Sequence, residues 1–147
     1  MAPQVSALVL DAEALNVLAA GGNGERRVRA AITAAVNQSV PVVVPAVILA
    51  ELYRGGAHDQ HIDACLARQG GIHIAPTDRA LARRVGHVLA AAKLGSTHLA
   101  DAHTVAVAIS RGGGVIITGD PDDLQKLAGP HAAITISTLH ARPRRQN

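Results

Sequence analysis

The sequence predicts an α/β fold with three layers, α/β/α, in which a mainly parallel sheet of about five strands forms the middle layer. Its 147 residues are enough for one compact domain and too few for two ordinary ones. Short uncharged runs rich in Val and Ile alternate with helical patterns, as in chains whose parallel strands are joined by helices. These runs are apolar at successive positions, which is typical of strands covered by helices on both faces.

The first part of the chain divides into strands and helices at charged residues, prolines and glycines. Residues 5–10 form an apolar run that stops at Asp11, and residues 12–20 favour a helix that paired glycines end. Residues 25–37 show the apolar spacing of an amphipathic helix. The elements that follow are a strand at 41–44, a helix from 46 to the glycines at 55 and 56, a helix at 57–68 and a strand at 72–75.

The second part alternates in the same way up to a basic tail. Thr77 has the character of an N-cap for a long helix that ends near residue 93. The later elements are a helix at 99–110, a strand at 115–117, a short helix at 122–127 and a strand at 134–136. We therefore expect one domain over residues 1–140, followed by a basic, flexible tail at 141–147.

Composition excludes several classes of protein. With 48% hydrophobic and 17% charged residues, the chain does not have the composition of a disordered protein. One tyrosine, with no Phe or Trp, provides no aromatic platform for stacking single-stranded nucleic acid. The longest uncharged apolar segment is far shorter than the ~20 residues of a membrane-spanning helix, so we expect no membrane contact. The single cysteine, Cys65, lies on an apolar stripe and favours a reducing compartment, so we expect a cytoplasmic protein.

Four acidic residues lie where the predicted sheet should bring them together. Asp11 follows the first strand, and Asp120 lies just past the fourth. Glu51 is on the helix that follows the second strand, and Asp101 is in the first turn of the helix before the fourth. In parallel sheets the functional cleft lies beyond the carboxyl ends of the strands, where the strand order reverses. We therefore expect these four carboxylates to converge there.

Such a cluster needs a cation, because each acid lies in an apolar segment and desolvating a carboxylate is costly. No Lys or Arg stands beside Asp11 in the sequence, and clustered carboxylates repel one another. A divalent cation resolves both problems, and ligands that are all oxygen favour Mg²⁺ or Mn²⁺ over zinc. His58 and His61 are one helical turn apart but have no third soft ligand, so we do not expect a zinc site.

The segments around these acids resemble the successive motifs of PIN-domain nucleases, and most of all those of bacterial toxins of the VapC type. The matching segments, in chain order, are LDAEAL at 10–15, AELYRG at 50–55, LADAHTVAVA at 99–108 and ITGDPDDL at 117–124. No single motif is specific, but the ordered set spans nearly the whole chain.

This resemblance implies a PIN-like fold and a Mg²⁺- or Mn²⁺-dependent endoribonuclease with Asp11, Glu51, Asp101 and Asp120 as its catalytic and metal-binding residues. Asp11 and Asp101 would be the principal ligands, and Asp120 a further ligand, direct or through water. Glu51 would also position or deprotonate the attacking water, and Thr118 would hydrogen-bond a ligand carboxylate. The resemblance also implies an RNA substrate, a homodimer and a small cognate antitoxin, making this chain the toxin of a toxin–antitoxin pair.

The excess of basic over acidic residues agrees with a polyanionic partner. The formal net charge is +3 and the isoelectric point is near 9.8. Because an acidic pocket repels RNA, positive charge should surround it. The candidate phosphate contacts are Arg26, Arg27, Arg29, Arg54, Arg83, Arg84 and Arg111, of which we predict that the last four bind RNA.

Some nearby residues depart from the motifs or are expected to have ordinary roles. PIN nucleases of this type usually have Ser, Thr or Asn at the position of Glu13, which is either a fifth acid near the metal or turned outward. We expect Asp123 to be a surface or helix-start acid. His98 and His103 flank Asp101, and we expect ordinary surface roles for both.

Other functions remain open at this stage. The segment around Asp120 resembles haloacid-dehalogenase-like phosphatases, but these need Asp-x-Asp after the first strand, where this chain has Asp11 and Glu13. A phospho-receiver domain needs a lysine after the last strand, and residues 134–138 are followed by none. The remaining alternative is a catalytically silent PIN-like module that binds RNA or protein.

Overall fold

The computed structural model describes residues 6–68 and 71–140. Its strands are β1 (Leu8–Leu10), β2 (Val42–Pro45), β3 (His73–Ala75), β4 (Gly114–Thr118) and β5 (Ile134–Thr138). Its helices are α1 (Ala12–Ala20), α2 (Glu25–Asn37), α3 (Ala46–Leu52), α4 (Gly56–Arg68), α5 (Arg79–Ala92), α6 (Leu99–Ser110) and α7 (Pro121–Ala128), with a 3₁₀ turn at Ser96–His98 before α6. The predicted tail at 141–147 lies outside the described residues.

The strands form one parallel sheet in the order β3-β2-β1-β4-β5. From the central β1 the chain moves outward through β2 to β3 and then returns to the other side of β1 for β4 and β5. The strand order therefore reverses between β1 and β4, and the carboxyl ends of these two strands mark the expected cleft.

Two apolar clusters cover the two faces of the sheet and produce the three layers. Successive strand residues point to opposite faces, so Leu8 and Leu10 pack with α1 to α4, whereas Val9 packs with α5 to α7. Ile48 and Cys65 lie in the first cluster, which confirms the predicted core position of the cysteine. The α/β class, the layers and the parallel five-stranded sheet predicted from the sequence are confirmed.

The element boundaries differ from the prediction in small ways that have local causes. Pro45 is the last residue of β2, where it pairs in register with Ala75. The N-cap of α5 is Asp78 and not Thr77, because the Asp78 carboxylate accepts the Leu81 N–H at 2.8 Å. Within the described ranges, no helix has the length and apolar character needed to cross a bilayer.

Candidate functional site

Asp11 is a buried carboxylate at the carboxyl end of the central strand. It is the N-cap of α1, where its Oδ1 accepts the Ala14 N–H at 2.9 Å, and the residue is only 6% exposed. Burial raises the pKa of Asp11 to about 6, and the charges of Glu13 and Asp101 add to the rise. The Thr118 hydroxyl and the Ala14 N–H act in the opposite direction. The cap fixes this carboxylate at the point where the strand order reverses.

Thr118 links the end of β4 to the predicted acids on either side of it. The side chain is fully buried, and its Oγ1 accepts the Asp120 N–H at 2.9 Å, which holds the turn between β4 and α7. The same hydroxyl favours the charged form of Asp11. Thr118 therefore contacts both Asp11 and the backbone of Asp120, which are two of the predicted metal ligands. Such contacts are expected of a residue that orients ligand carboxylates.

Asp101 is the electrostatic centre of the site. It is half-buried in the first turn of α6. Burial raises the pKa of Asp101, and the charges of Asp123, Asp120 and Glu51 raise it further, while His98 opposes them. The charge of Asp101 also acts on Asp11. The carboxylates expected to converge therefore do lie in one electrostatic neighbourhood.

The tightest group of potential ligands in this neighbourhood is not the expected one. One donor atom each of His98, Asp101 and Asp123 lie within 4.8 Å of one another. The His98 Nδ1 is 3.8 Å from the Asp123 Oδ2. Asp11 does not belong to this group.

Asp123 is a helix-start acid, as predicted, because it lies in the first turn of α7. Since α7 packs on α6, the same turn also brings Asp123 to Asp101. The expectation for His98 is wrong, because the 3₁₀ turn before α6 directs this half-buried residue at these acids rather than leaving it on the open surface. The spacing of Asp101 three residues after His98 was the available sequence signal, since residues three apart share a helical face.

Glu51 and Asp120 lie at the exposed rim of the neighbourhood. Glu51 is on the last turns of α3, and Asp120 precedes α7 without capping it through its side chain. Both side chains are open to solvent, whereas Asp11 is buried. The site therefore has a buried acid, Asp11, at the end of β1 and two exposed acids, Glu51 and Asp120, at its solvent-facing edge.

Glu13 lies at the same end of the sheet. Its carboxylate packs against Gly119, and a Cβ at residue 119 would collide with it. Its charge raises the pKa of Asp11, although the residue is exposed. Of the two alternatives left open for Glu13, the structure supports a fifth acid beside the cluster.

The predicted RNA-binding arginines fall into two places. The Arg54 guanidinium donates to the carbonyls of Ala50 at 2.9 Å and Tyr53 at 2.6 Å, so it caps the end of the helix that carries Glu51. The other three lie beside the far end of α6, near Ser110. That end is about 14 Å from Asp101 along the helix axis. RNA binding by all four arginines stays a prediction.

The basic end of α6 borders a groove of about 560 Å³ whose lining includes Arg83, Arg84, His87 and His131. Arg84 also borders an adjoining groove of about 300 Å³ together with Ser110 and Arg111. These grooves and the acidic neighbourhood thus lie near opposite ends of the same helix.

His103 corrects another expectation, because it is buried rather than on the surface. Residues 102–108 are all buried where α6 lies between the sheet and α5. The His103 Nδ1 is 2.8 Å from the Leu99 carbonyl oxygen, which satisfies one ring nitrogen inside the helix layer.

This donor set is suited to a divalent cation. Carboxylate oxygens dominate it. Burial and then the repulsion of neighbouring carboxylates raise the pKa of Asp101, and a bound cation would relieve both. The imidazole of His98 is also an accepted ligand for transition metals.

The family comparison agrees with this arrangement. The sequence model described as "PIN domain" matches residues 8–130, from β1 to just beyond α7. The chain belongs to the PIN domain family. The matched range contains every acid that we placed in the site, so the PIN-like architecture predicted from the motifs is confirmed.

Solved structures show the same fold at low sequence identity. A toxin–antitoxin complex from Klebsiella pneumoniae matches at 15% identity with a TM-score of 0.60, covering 88% of this chain and 96% of that one. VapBC2 from Rickettsia felis, bound to a DNA fragment from its promoter, matches at 10% identity with a TM-score of 0.60, covering 89% and 97%. A comparison with curated proteins gave no match.

Proposed function

We propose that this PIN-domain protein is a Mg²⁺- or Mn²⁺-dependent endoribonuclease and the toxin of a toxin–antitoxin pair. The observation that carries the proposal is the convergence of carboxylates around Asp101 at the point where the strand order reverses. The charges of Asp123, Asp120 and Glu51 all act on Asp101, and His98 opposes them. A divalent cation and a phosphodiester together provide the matching charges.

Four carboxylates hold the cation in this proposal. Asp11 and Asp101 are the principal ligands, and Asp120 and Glu51 complete the set from the rim, directly or through water. When bound, the cation lowers the pKa of a coordinated water and neutralises charge on the phosphoryl oxygens. The α1 cap and Thr118 keep Asp11 in a fixed orientation, so little reorganisation is needed on binding.

Glu51 is the residue that positions the attacking water or accepts its proton. It is exposed on α3, where RNA can approach, and its charge acts on Asp101. A carboxylate at the mouth of the site reaches solvent water without the desolvation that burial imposes on Asp11. The water would attack phosphorus, and the leaving oxygen would take a proton from solvent.

RNA binds through its phosphates rather than through stacked bases. One tyrosine is the only aromatic residue in the sequence, whereas arginines number twelve. Arg54 lies beside Glu51 and contacts the phosphates nearest the site. Arg83, Arg84 and Arg111 bind the backbone farther along, beyond the other end of α6.

The toxin assignment rests on the fold and on the acidic site together. One of the solved structures reported above is named as a toxin–antitoxin complex and the other as VapBC2, and each is covered almost completely by this fold. We propose a cognate antitoxin that inserts a cation, such as an arginine, among the carboxylates, and a homodimeric, cytoplasmic toxin. Co-purification with the product of an adjacent short reading frame, and light scattering of the isolated chain, test these two assignments.

The nuclease proposal is tested with total RNA and purified protein in Mg²⁺, in Mn²⁺ and in EDTA. Asp101→Asn removes one charge at nearly constant size, and Asp122→Asn is the matched control because Asp122 is an exposed acid on the same end of α7 as Asp123. Cleavage by the wild type and Asp122→Asn, but not by Asp101→Asn or in EDTA, supports the proposal. Equal cleavage by all variants means contamination. RNA binding without any cleavage favours the silent binding module.

A further inference from the structure

His98 brings a nitrogen donor into an otherwise all-oxygen acidic site. Among residues 6–68 and 71–140, His98, Asp101 and Asp123 form the one group of at least three His, Cys or acidic side chains with donor atoms within 4.8 Å. All three are half-buried, with side-chain exposures of 24% for His98 and 32% for Asp123. The group is therefore screened from bulk water but still reachable by an ion.

The local fold directs His98 at this position. The 3₁₀ turn Ser96–His98 ends immediately before α6, and Asp101 follows in the first turn of that helix. Asp123 comes from the first turn of α7, which packs against α6. Three different parts of the chain thus point one donor each at a common space.

The spacing of the donors is too long for a hydrogen bond between His98 and Asp123 and is compatible with coordination of one ion. The His98 Nδ1 and the Asp123 Oδ2 are 3.8 Å apart, which is too long for a hydrogen bond. Two donors that each lie ~2.2 Å from one metal ion are up to ~4.4 Å apart. The three donor atoms lie within 4.8 Å of one another, so small side-chain movements would bring them to the distances that one shared ion requires.

We propose that His98 and Asp123 are metal ligands together with Asp101, the acid that this group shares with the four carboxylates proposed above, and that His98 makes the site select Mn²⁺ over Mg²⁺. This inference rests on the proposed metal-dependent nuclease and adds the ligand that decides which ion it uses. Imidazole nitrogen binds first-row transition ions well, whereas Mg²⁺ prefers oxygen ligands and retained waters. His103, the other histidine that flanks Asp101, does not compete, since it is buried and its Nδ1 contacts the Leu99 carbonyl oxygen.

The test compares the full-length wild type with His98→Gln and with the control His61→Gln, an exposed histidine on α4. Metal-free proteins are titrated with Mn²⁺ and with Mg²⁺ by calorimetry, and the Mn²⁺ complexes are measured by pulsed electron paramagnetic resonance for nitrogen coupling. We expect nitrogen coupling in the wild type and His61→Gln, and its loss in His98→Gln. We also expect His98→Gln to weaken Mn²⁺ binding about tenfold and Mg²⁺ binding by less than about twofold.

The outcomes separate this inference from the function on which it rests. Mn²⁺ binding without nitrogen coupling, or with coupling that survives in His98→Gln, overturns the His98 assignment and leaves the metal-dependent nuclease standing. Failure of the wild type to bind either ion overturns both. Circular dichroism checks folding, and His98→Asn repeats the test if His98→Gln does not fold.

Discussion

The two ends of α6 carry opposite charge. At the N-terminal end, Asp101 lies with Asp123 and His98 and near the buried Asp11. At the C-terminal end, Arg84 and Arg111 border an open groove. The ends are about 15 Å apart along the helix axis, which exceeds the ~8 Å screening length at physiological salt. Arg84 and Arg111 therefore do little to neutralise these acids, and we propose that a bound cation balances their charge.

The largest expected effect is on cleavage at the acidic end. Asp101→Asn should lower the rate of RNA cleavage at least ~100-fold, since even changes beyond the direct ligands of a metal can cost that much. Gel assays with a labelled RNA measure the rate, with Asp122→Asn as control. A rate for Asp101→Asn within a few-fold of the wild type would show that the acidic end is not the reaction centre.

Metal should stabilise the acidic end in a way that does not depend on RNA. An ion at ~100 times its dissociation constant adds ~2.7 kcal/mol to the free energy of unfolding, or a rise of about 8 °C in Tm. Scanning fluorimetry should detect this rise in the wild type and in Arg84→Gln, but not in Asp101→Asn. The same rise in Asp101→Asn would place the ion elsewhere.

The pH dependence of stability should reveal the buried carboxyl. Because the pKa of Asp11 is about 6 in the fold against 3.8 ordinarily, the folded chain holds a proton that the unfolded chain has released between these values. The metal-free wild type should therefore lose stability as pH rises from about 4 to about 6. Asp11→Asn keeps the helix cap and removes the charge, so it should be about 2 to 3 kcal/mol more stable at pH 7.

Urea unfolding in EDTA at several pH values measures this difference. The gain for Asp11→Asn should vanish below about pH 4, where both states of the wild type are protonated. A wild type whose stability rises over the same pH range would mean that Asp11 is paired with a positive group in the fold.

The smallest effect is expected at the basic end. Arg84→Gln should weaken RNA binding only a few-fold, equally for all sequences, and should reduce the slope of log affinity against log salt by ~0.7. Fluorescence anisotropy at several salt concentrations, with the inactive Asp101→Asn as background, measures it. If Arg84→Gln leaves the slope of log affinity against log salt unchanged, Arg84 at this end of α6 does not contact RNA phosphates.

Most of the fold could be predicted because its boundaries are set locally. Asp11 ends β1 and caps α1, and Gly21 ends α1, so charge and glycine placed these elements correctly. The helix predicted to reach Gly55 and Gly56 instead ends at Leu52, because Tyr53 is extended, and Gly56 begins α4. The parallel sheet followed from apolar runs that need cover on both faces. The convergence of Asp11 and Asp101 followed in turn from the rule that clefts lie at the carboxyl ends of strands.

The parts that could not be predicted depend on packing between elements. Asp123 reaches Asp101 only because α7 packs on α6, and sequence spacing does not specify that contact. His103 is buried because α6 lies beneath α5, although its neighbours in sequence do not distinguish it from an exposed histidine. Arg83, Arg84 and Arg111 lie far from Asp101 because of the direction in which α6 runs, which the sequence does not specify.

A crystal structure with Mn²⁺, measured at a wavelength where manganese scatters anomalously, tests most directly that this end of the sheet holds a cation. We expect an anomalous peak within ~2.5 Å of an Asp101 carboxylate oxygen. We also expect this peak to be absent from Asp101→Asn crystals treated in the same way. A well-diffracting wild-type crystal with no peak among these carboxylates, or with its strongest peak at the arginine end of α6, would contradict this expectation.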